Sequence, residues 1–177
     1  DNQILYVGRS AEAAAAASAN RVSAKIAVHE MLHALDHQLA RLVLDGERFP
    51  MWLVEGRADH FGNGLAGRQV LPGSLHLPPG DAEPSDLLKA LASTSLMTLL
   101  DLGGAQWSQG QVVEHYALSW ALVHYLLHAE NGRRADAFRA FLKGGPGHVS
   151  RADFEKAVGK LTEIEPAFRA WAEASLV

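Results

Sequence analysis

Two histidines and a glutamate stand together at His29-Glu30-Met31-Leu32-His33. On a helix, positions i and i+4 lie one above the other on a single face, about 6 Å apart at Cβ. Imidazoles so placed can reach one tetrahedral zinc at about 2.0–2.1 Å. Glu30 points toward the same side and can hold a proton acceptor over a metal-bound water. An H-E-x-x-H arises by chance in roughly a few per cent of such chains, so the competing reading is an ordinary surface helix carrying two histidines. A third ligand decides between them.

Glu55 is the candidate. The helix continues about ten residues past His33, or roughly 15–17 Å, before Asp45-Gly46 ends it. Residues 45–49 can reverse the chain, and Pro50 suits the first turn of a returning helix. Glu55 then comes back level with the histidines, and Asp59 follows one turn later on the same face. A metal-bound imidazole normally donates its other N–H to a carboxylate or carbonyl, and Asp59 is placed to accept it. Two carboxylates one turn apart repel by roughly a few tenths of a kcal/mol on a plain helix. A nearby dication and imidazole N–H donors reverse that cost.

His29-Glu30-x-x-His33 followed by Trp52-Leu53-Val54-Glu55-Gly56-Arg57-Ala58-Asp59-His60-Phe61 resembles the gluzincin metallopeptidases of the zincin superfamily. There the H-E-x-x-H supplies two zinc ligands and the catalytic Glu, and a downstream Glu in a W-L-x-E-G-x-A context is the third ligand. The resemblance implies that His29, His33 and Glu55 bind Zn²⁺, that Glu30 is the general base, and that Asp59 supports a ligand histidine. Further on, Tyr116-Ala117-Leu118-Ser119-Trp120-Ala121-Leu122-Val123-His124-Tyr125-Leu126 is similar to a Y-A-x-S-x-x-x-V-x-Y-L helix of peptidase-MA-like bacterial gluzincins. Phe154 to Gly159 and Phe168-Arg169-Ala170-Trp171 are similar to that family's closing helices. Amide hydrolysis needs a donor for the developing oxyanion, and the resemblance assigns this to Tyr116, with His115 in reserve. The front of the chain departs from the family. Gluzincins usually carry a several-stranded sheet before the H-E-x-x-H helix, and residues 1–28 hold one convincing strand, Gln3-Ile4-Leu5-Tyr6-Val7.

The elements that must position these residues are mostly helical. An alanine-rich stretch from Ser10 to Asn20 could be a helical turn or a loop, and a long helix is expected from about Val22 to Val43. Its apolar positions Ile26, Leu32, Leu35, Leu39 and Leu42 follow helical spacing. The second helix runs from Pro50 to about Phe61, where Gly62-Asn63-Gly64 breaks it. Residues 71–84 form a proline-rich loop. Ser85 or Asp86 caps a short helix to Ala92, and a second short piece reaches Leu100. Asp101 to Gln111 is a loop, Val112 to Ala129 a strong helix stopped by Asn131-Gly132, and Arg133 to Lys143 another. Ser150 to Val158 and Glu163 to Ser175 close the chain.

Size and composition narrow the rest. The 177 residues fit one domain with a real core. A net charge of −4 without a basic run gives nothing that suggests a nucleic-acid partner or an anionic membrane surface. No apolar run reaches the length of a membrane span. Without cysteine, any metal is held by His, Asp or Glu, and the redox compartment stays open. The chain begins at Asp1 with no signal peptide, so a processed or trimmed form is expected; either the domain is minimal or its upstream strands were removed, and localisation stays open, with an extracytoplasmic or secreted setting favoured.

Other metal chemistries fit less well. His37 continues the His29, His33 stripe but stands a further turn, about 5.4 Å, away. Metzincin and aspzincin patterns fail because Asp36 and Leu39 occupy the positions that must be Gly and His or Asp. Glu30-x-x-His33 is also the E-x-x-H of di-iron bundles, which need a second such helix, and the chain has none. His124 and His128 form another i, i+4 pair, read as core or surface histidines, and His60 is read as structural. Asp36 is read as a supporting partner or a helix-face charge. The expected whole is an α+β, predominantly α-helical, zincin-like catalytic domain over residues 1–177 with a reduced N-terminal β portion. The expected activity is zinc-dependent hydrolysis of peptide or protein substrates by a metal-activated water. The alternatives are a non-catalytic zincin-like binding module and a zinc hydrolase of non-peptide amides.

Overall fold

A computed structural model describes residues 26–38, 49–66, 84–109, 111–144 and 149–176. Every regular element among them is helical: α1 (residues 26–38), α2 (Met51–Ala66), α3 (Pro84–Ser93), α4 (Leu96–Asp101), α5 (Gly104–Trp107), α6 (Val112–Gly132), α7 (Ala135–Lys143), α8 (Arg151–Val158) and α9 (Leu161–Leu176). None is long and apolar enough to cross a membrane.

Helix α6 is the axis of the molecule. Residues Ala117 to Leu126 are all buried, so the middle of this helix is enclosed on every side. α2, α3, α7 and α9 pack around it, and α8 packs on α7. Trp52 and Leu53 of α2, Leu87 of α3, Phe138 of α7, Phe154 of α8 and Phe168 of α9 fill the core. Side-chain caps fix several helix starts. Ser95 Oγ accepts from the Thr98 N–H at 3.1 Å to open α4, and Ser150 with Asp153 forms a reciprocal capping box before α8. Glu130, Asn131 and Gly132 turn left-handed, with φ of 53°, 58° and 74°, and stop the regular part of α6 where the Asn-Gly pair was expected to. Arg169 of α9 reaches the carbonyls of Leu91 and Thr94 and so satisfies the end of α3.

The α+β expectation is corrected. Helix packs on helix throughout the described residues, and among them no strand or sheet contributes to the core. The strand expected at Gln3 to Val7 and the alanine-rich stretch lie outside the described residues, as does the 71–83 loop. Two further boundaries differ. α2 continues through Gly62-Asn63-Gly64 to Ala66, because Gly62 is buried and packing outweighs a helix cost of about 1 kcal/mol per glycine. The expected loop from Asp101 to Gln111 contains the single turn α5, whose Trp107 is buried.

Gly56 is where α2 meets α6. A Cβ there would stand 2.6 Å from the Ser119 carbonyl oxygen and 3.0 Å from Val123 Cγ2. The absent side chain lets α2 lie directly on α6 and sets the height of its neighbour Glu55. Overpacking costs about 1–3 kcal/mol, and a rigid carbonyl puts this site at the upper end. Alanine's better helix preference offsets about 1 kcal/mol. Gly56→Ala is therefore expected to lower stability by about 2 kcal/mol, read from the denaturant midpoint.

Candidate metal centre

α1 presents its polar face to α2. Ile26, Met31 and Leu35 are exposed, whereas Asp36 is buried and His29 and His33 are half-buried. The apolar spacing in this helix therefore does not mark its inward face. Ionic contacts hold it instead. Arg57 of α2 donates to both carboxylate oxygens of Asp36 at 3.2 and 3.3 Å, and its guanidinium lies over the Phe49 ring. The supporting role expected of Asp36 is thus toward the helix pair, through Arg57.

Within that clamp the expected ligands converge. His33 Nε2 stands 2.8 Å from His29 Nε2, and Glu55 Oε2 lies 3.4 Å from His29 Nε2 and 3.3 Å from His33 Nε2. Donor atoms around a tetrahedral zinc with bonds of 2.0–2.1 Å are about 3.3 Å apart, so two edges of this triangle match and the third is slightly closed. Glu55 is 6% exposed, and its Oε2 has no well-aligned hydrogen bond although two nitrogens face it. A buried carboxylate oxygen left in that state is costly, and a cation among the three donors removes the cost. His29, His33 and Glu55 thus form a group that could hold a metal ion.

Asp59, 3% exposed, accepts from His29 Nδ1 at 2.8 Å. That bond fixes the tautomer and turns Nε2 toward Glu55 and His33. Without a metal, two buried carboxylates one turn apart are compensated by a protonated imidazole. The Asp59 hydrogen bond first, and Glu55 second, raise His29 to about 9 against the opposing effect of burial. A metal, if bound, would replace the Nε2 proton, while His29 keeps its Nδ1–H on Asp59. Asp59→Ala is expected to weaken metal affinity about 10–100-fold, measured by competition with a chelator.

Tyr116 lies in the first turns of α6, half-buried against Trp107 at 5.6 Å between ring centroids. Burial, then the negative charge of Glu55, push its phenol up to about 12, so it stays a proton-bearing donor at neutral pH beside the carboxylate. His115 turns elsewhere. Its Nδ1 donates to the Trp107 carbonyl at 3.4 Å, which ties α5 to α6. Glu30 is exposed on α1, next to His29 in sequence and outside the ligand triangle. His37 is exposed as well.

Sequence reasoning missed one grouping. His60 of α2 meets His124 and His128 of α6, and the ligand nitrogens of all three lie within 4.8 Å of one another. The signal available was the i, i+4 spacing of His124 and His128; nothing in the sequence says that a third histidine arrives from another helix. Compared with known proteins, the chain matches no family model, no curated protein and no solved structure.

Proposed function

We propose that this chain is a zinc-dependent peptidase whose metal is held by His29, His33 and Glu55. The observation that carries the reading is the buried Glu55 oxygen facing two imidazole nitrogens at 3.3 and 3.4 Å, with Asp59 behind one of them. Three protein donors leave a fourth position open, as hydrolytic rather than structural zinc sites do. When bound, zinc supplies Lewis acidity toward a carbonyl oxygen and lowers the pKa of a water to about 7.

The side chains do the rest. Glu30, exposed to the solvent that brings substrate, takes the proton of the attacking water and passes it to the leaving amine. Tyr116, kept protonated by its surroundings, donates a hydrogen bond to the carbonyl oxygen as that atom gains charge. Asp59 holds His29 in the tautomer that presents Nε2, and the Arg57–Asp36 pair keeps α1 in register with α2. Gly56 lets Glu55 sit close against α6.

The test is direct. Zinc-loaded protein is incubated with a mixed peptide library and the products are sequenced by mass spectrometry. Cuts that vanish on chelation and return with zinc are expected. Fully loaded, folded protein that cleaves nothing overturns the peptidase reading and leaves a metal-binding module.

A further inference from the structure

We propose that His60, His124 and His128 form a second metal site, separate from the first, that takes a borderline divalent transition cation such as Zn²⁺ and ties α2 to α6. His124 and His128 stand one turn apart on α6, with ring centroids 4.7 Å apart. His60 comes across from α2, its ring 5.4 Å from that of His124 and 5.1 Å from that of His128. His60 Nε2 and His128 Nε2 are 3.3 Å apart, the separation of about 3.3 Å that two nitrogens take around one tetrahedral ion. His60 follows Asp59 in sequence but is turned about 100° from it around α2, so the two groups use different sides of that helix.

The competing reading is an aromatic stack that happens to contain histidines. His124 does stack on Trp120 and Trp171, at 5.6 and 5.9 Å between centroids. Those indoles fix its ring plane, which is the preorganisation a ligand needs. One N–H···N bond joins His60 to His128, and the arrival of a donor nitrogen from His124 within 4.8 Å of that pair is what goes beyond stacking. Packing alone is served as well by Phe or Leu, without nitrogens that must find partners inside the fold. The donor set names the class of ion. Three imidazoles with neither thiolate nor carboxylate suit zinc, copper or nickel and not magnesium or calcium. His128 is only part-buried and gives the ion a way in. Arg139, whose positive charge is felt at His128, is paired with Asp136 at 2.9 Å.

The first site is removed by His29→Ala with His33→Ala, both half-buried positions on α1. That double variant is titrated with Zn²⁺ and, for its visible absorption, with Co²⁺, alongside the wild type. Wild-type protein is expected to bind two equivalents and the double variant one, with the absorption of a low-coordinate Co²⁺ site. Adding His128→Gln to the double variant is expected to abolish that remaining equivalent. His60→Gln in the otherwise wild-type chain gives a second reading, expected to lower two equivalents to one. A folded double variant that binds no stoichiometric metal overturns the proposal, as does a wild-type total of one with none lost in His60→Gln. If the first site takes no metal, wild type binds one equivalent and His60→Gln none, while the double variant still binds one, so failure of the first site is told apart from failure of the second.

Discussion

Glu30→Gln is expected to keep its metal and lose about 10²–10⁴-fold in kcat. Glutamine matches glutamate in shape, and Glu30 is exposed and outside the ligand triangle, so neither folding nor the His29, His33 and Glu55 donors are disturbed. What is lost is the acceptor for the proton of the attacking water. A neutral amide accepts hydrogen bonds but cannot carry that proton to the leaving amine. Peptide turnover and zinc content are read on one sample. Cleavage at near wild-type rate with zinc in place assigns the proton transfer to another group.

His33→Ala is expected to lose the metal between α1 and α2 altogether. Removing a carboxylate behind a ligand histidine costs about 10–100-fold in affinity, so removing a ligand itself costs at least about 100-fold. His33's side chain is 26% exposed and its truncation leaves a surface notch, not an internal cavity, so the variant remains folded. His29 stays on Asp59 in that variant, but Glu55 loses one of the two nitrogens facing it. Elemental analysis after dialysis is expected to show one zinc fewer than wild type. An undiminished complement removes His33 from the ligand set.

The parts of this site that could be read in the sequence are those governed by one helix at a time. The His29, His33 spacing is a property of α1, and the Glu55, Asp59 spacing a property of α2. Once the Asp36–Arg57 pair sets α1 beside α2, the two spacings meet. The end of α6 at Asn131-Gly132 and the Ser150 cap of α8 were legible for the same local reason. Features that depend on packing between distant elements were not. Gly62-Asn63-Gly64 carries a strong breaking signal, yet α2 runs through it because Gly62 is buried. Ile26 and Leu35 follow helical spacing and nevertheless face solvent, because the Asp36–Arg57 pair and the contacts of His29 and His33 with Glu55 and Asp59 decide which face of α1 turns inward. A strand pattern and a family resemblance pointed to a sheet, and the described core is closed by helices alone. His60 joins His124 and His128 across the α2–α6 interface, a meeting that no spacing rule along one chain segment contains.

The most direct measurement is an anomalous difference map from crystals of the zinc-loaded protein, collected on either side of the zinc edge. The expected result is a peak about 2.0–2.1 Å from His29 Nε2, His33 Nε2 and a Glu55 carboxylate oxygen, with the His29 Nδ1 bond to Asp59 intact. Zinc-loaded crystals in which α1 and α2 are ordered but no peak lies between these three side chains would contradict it.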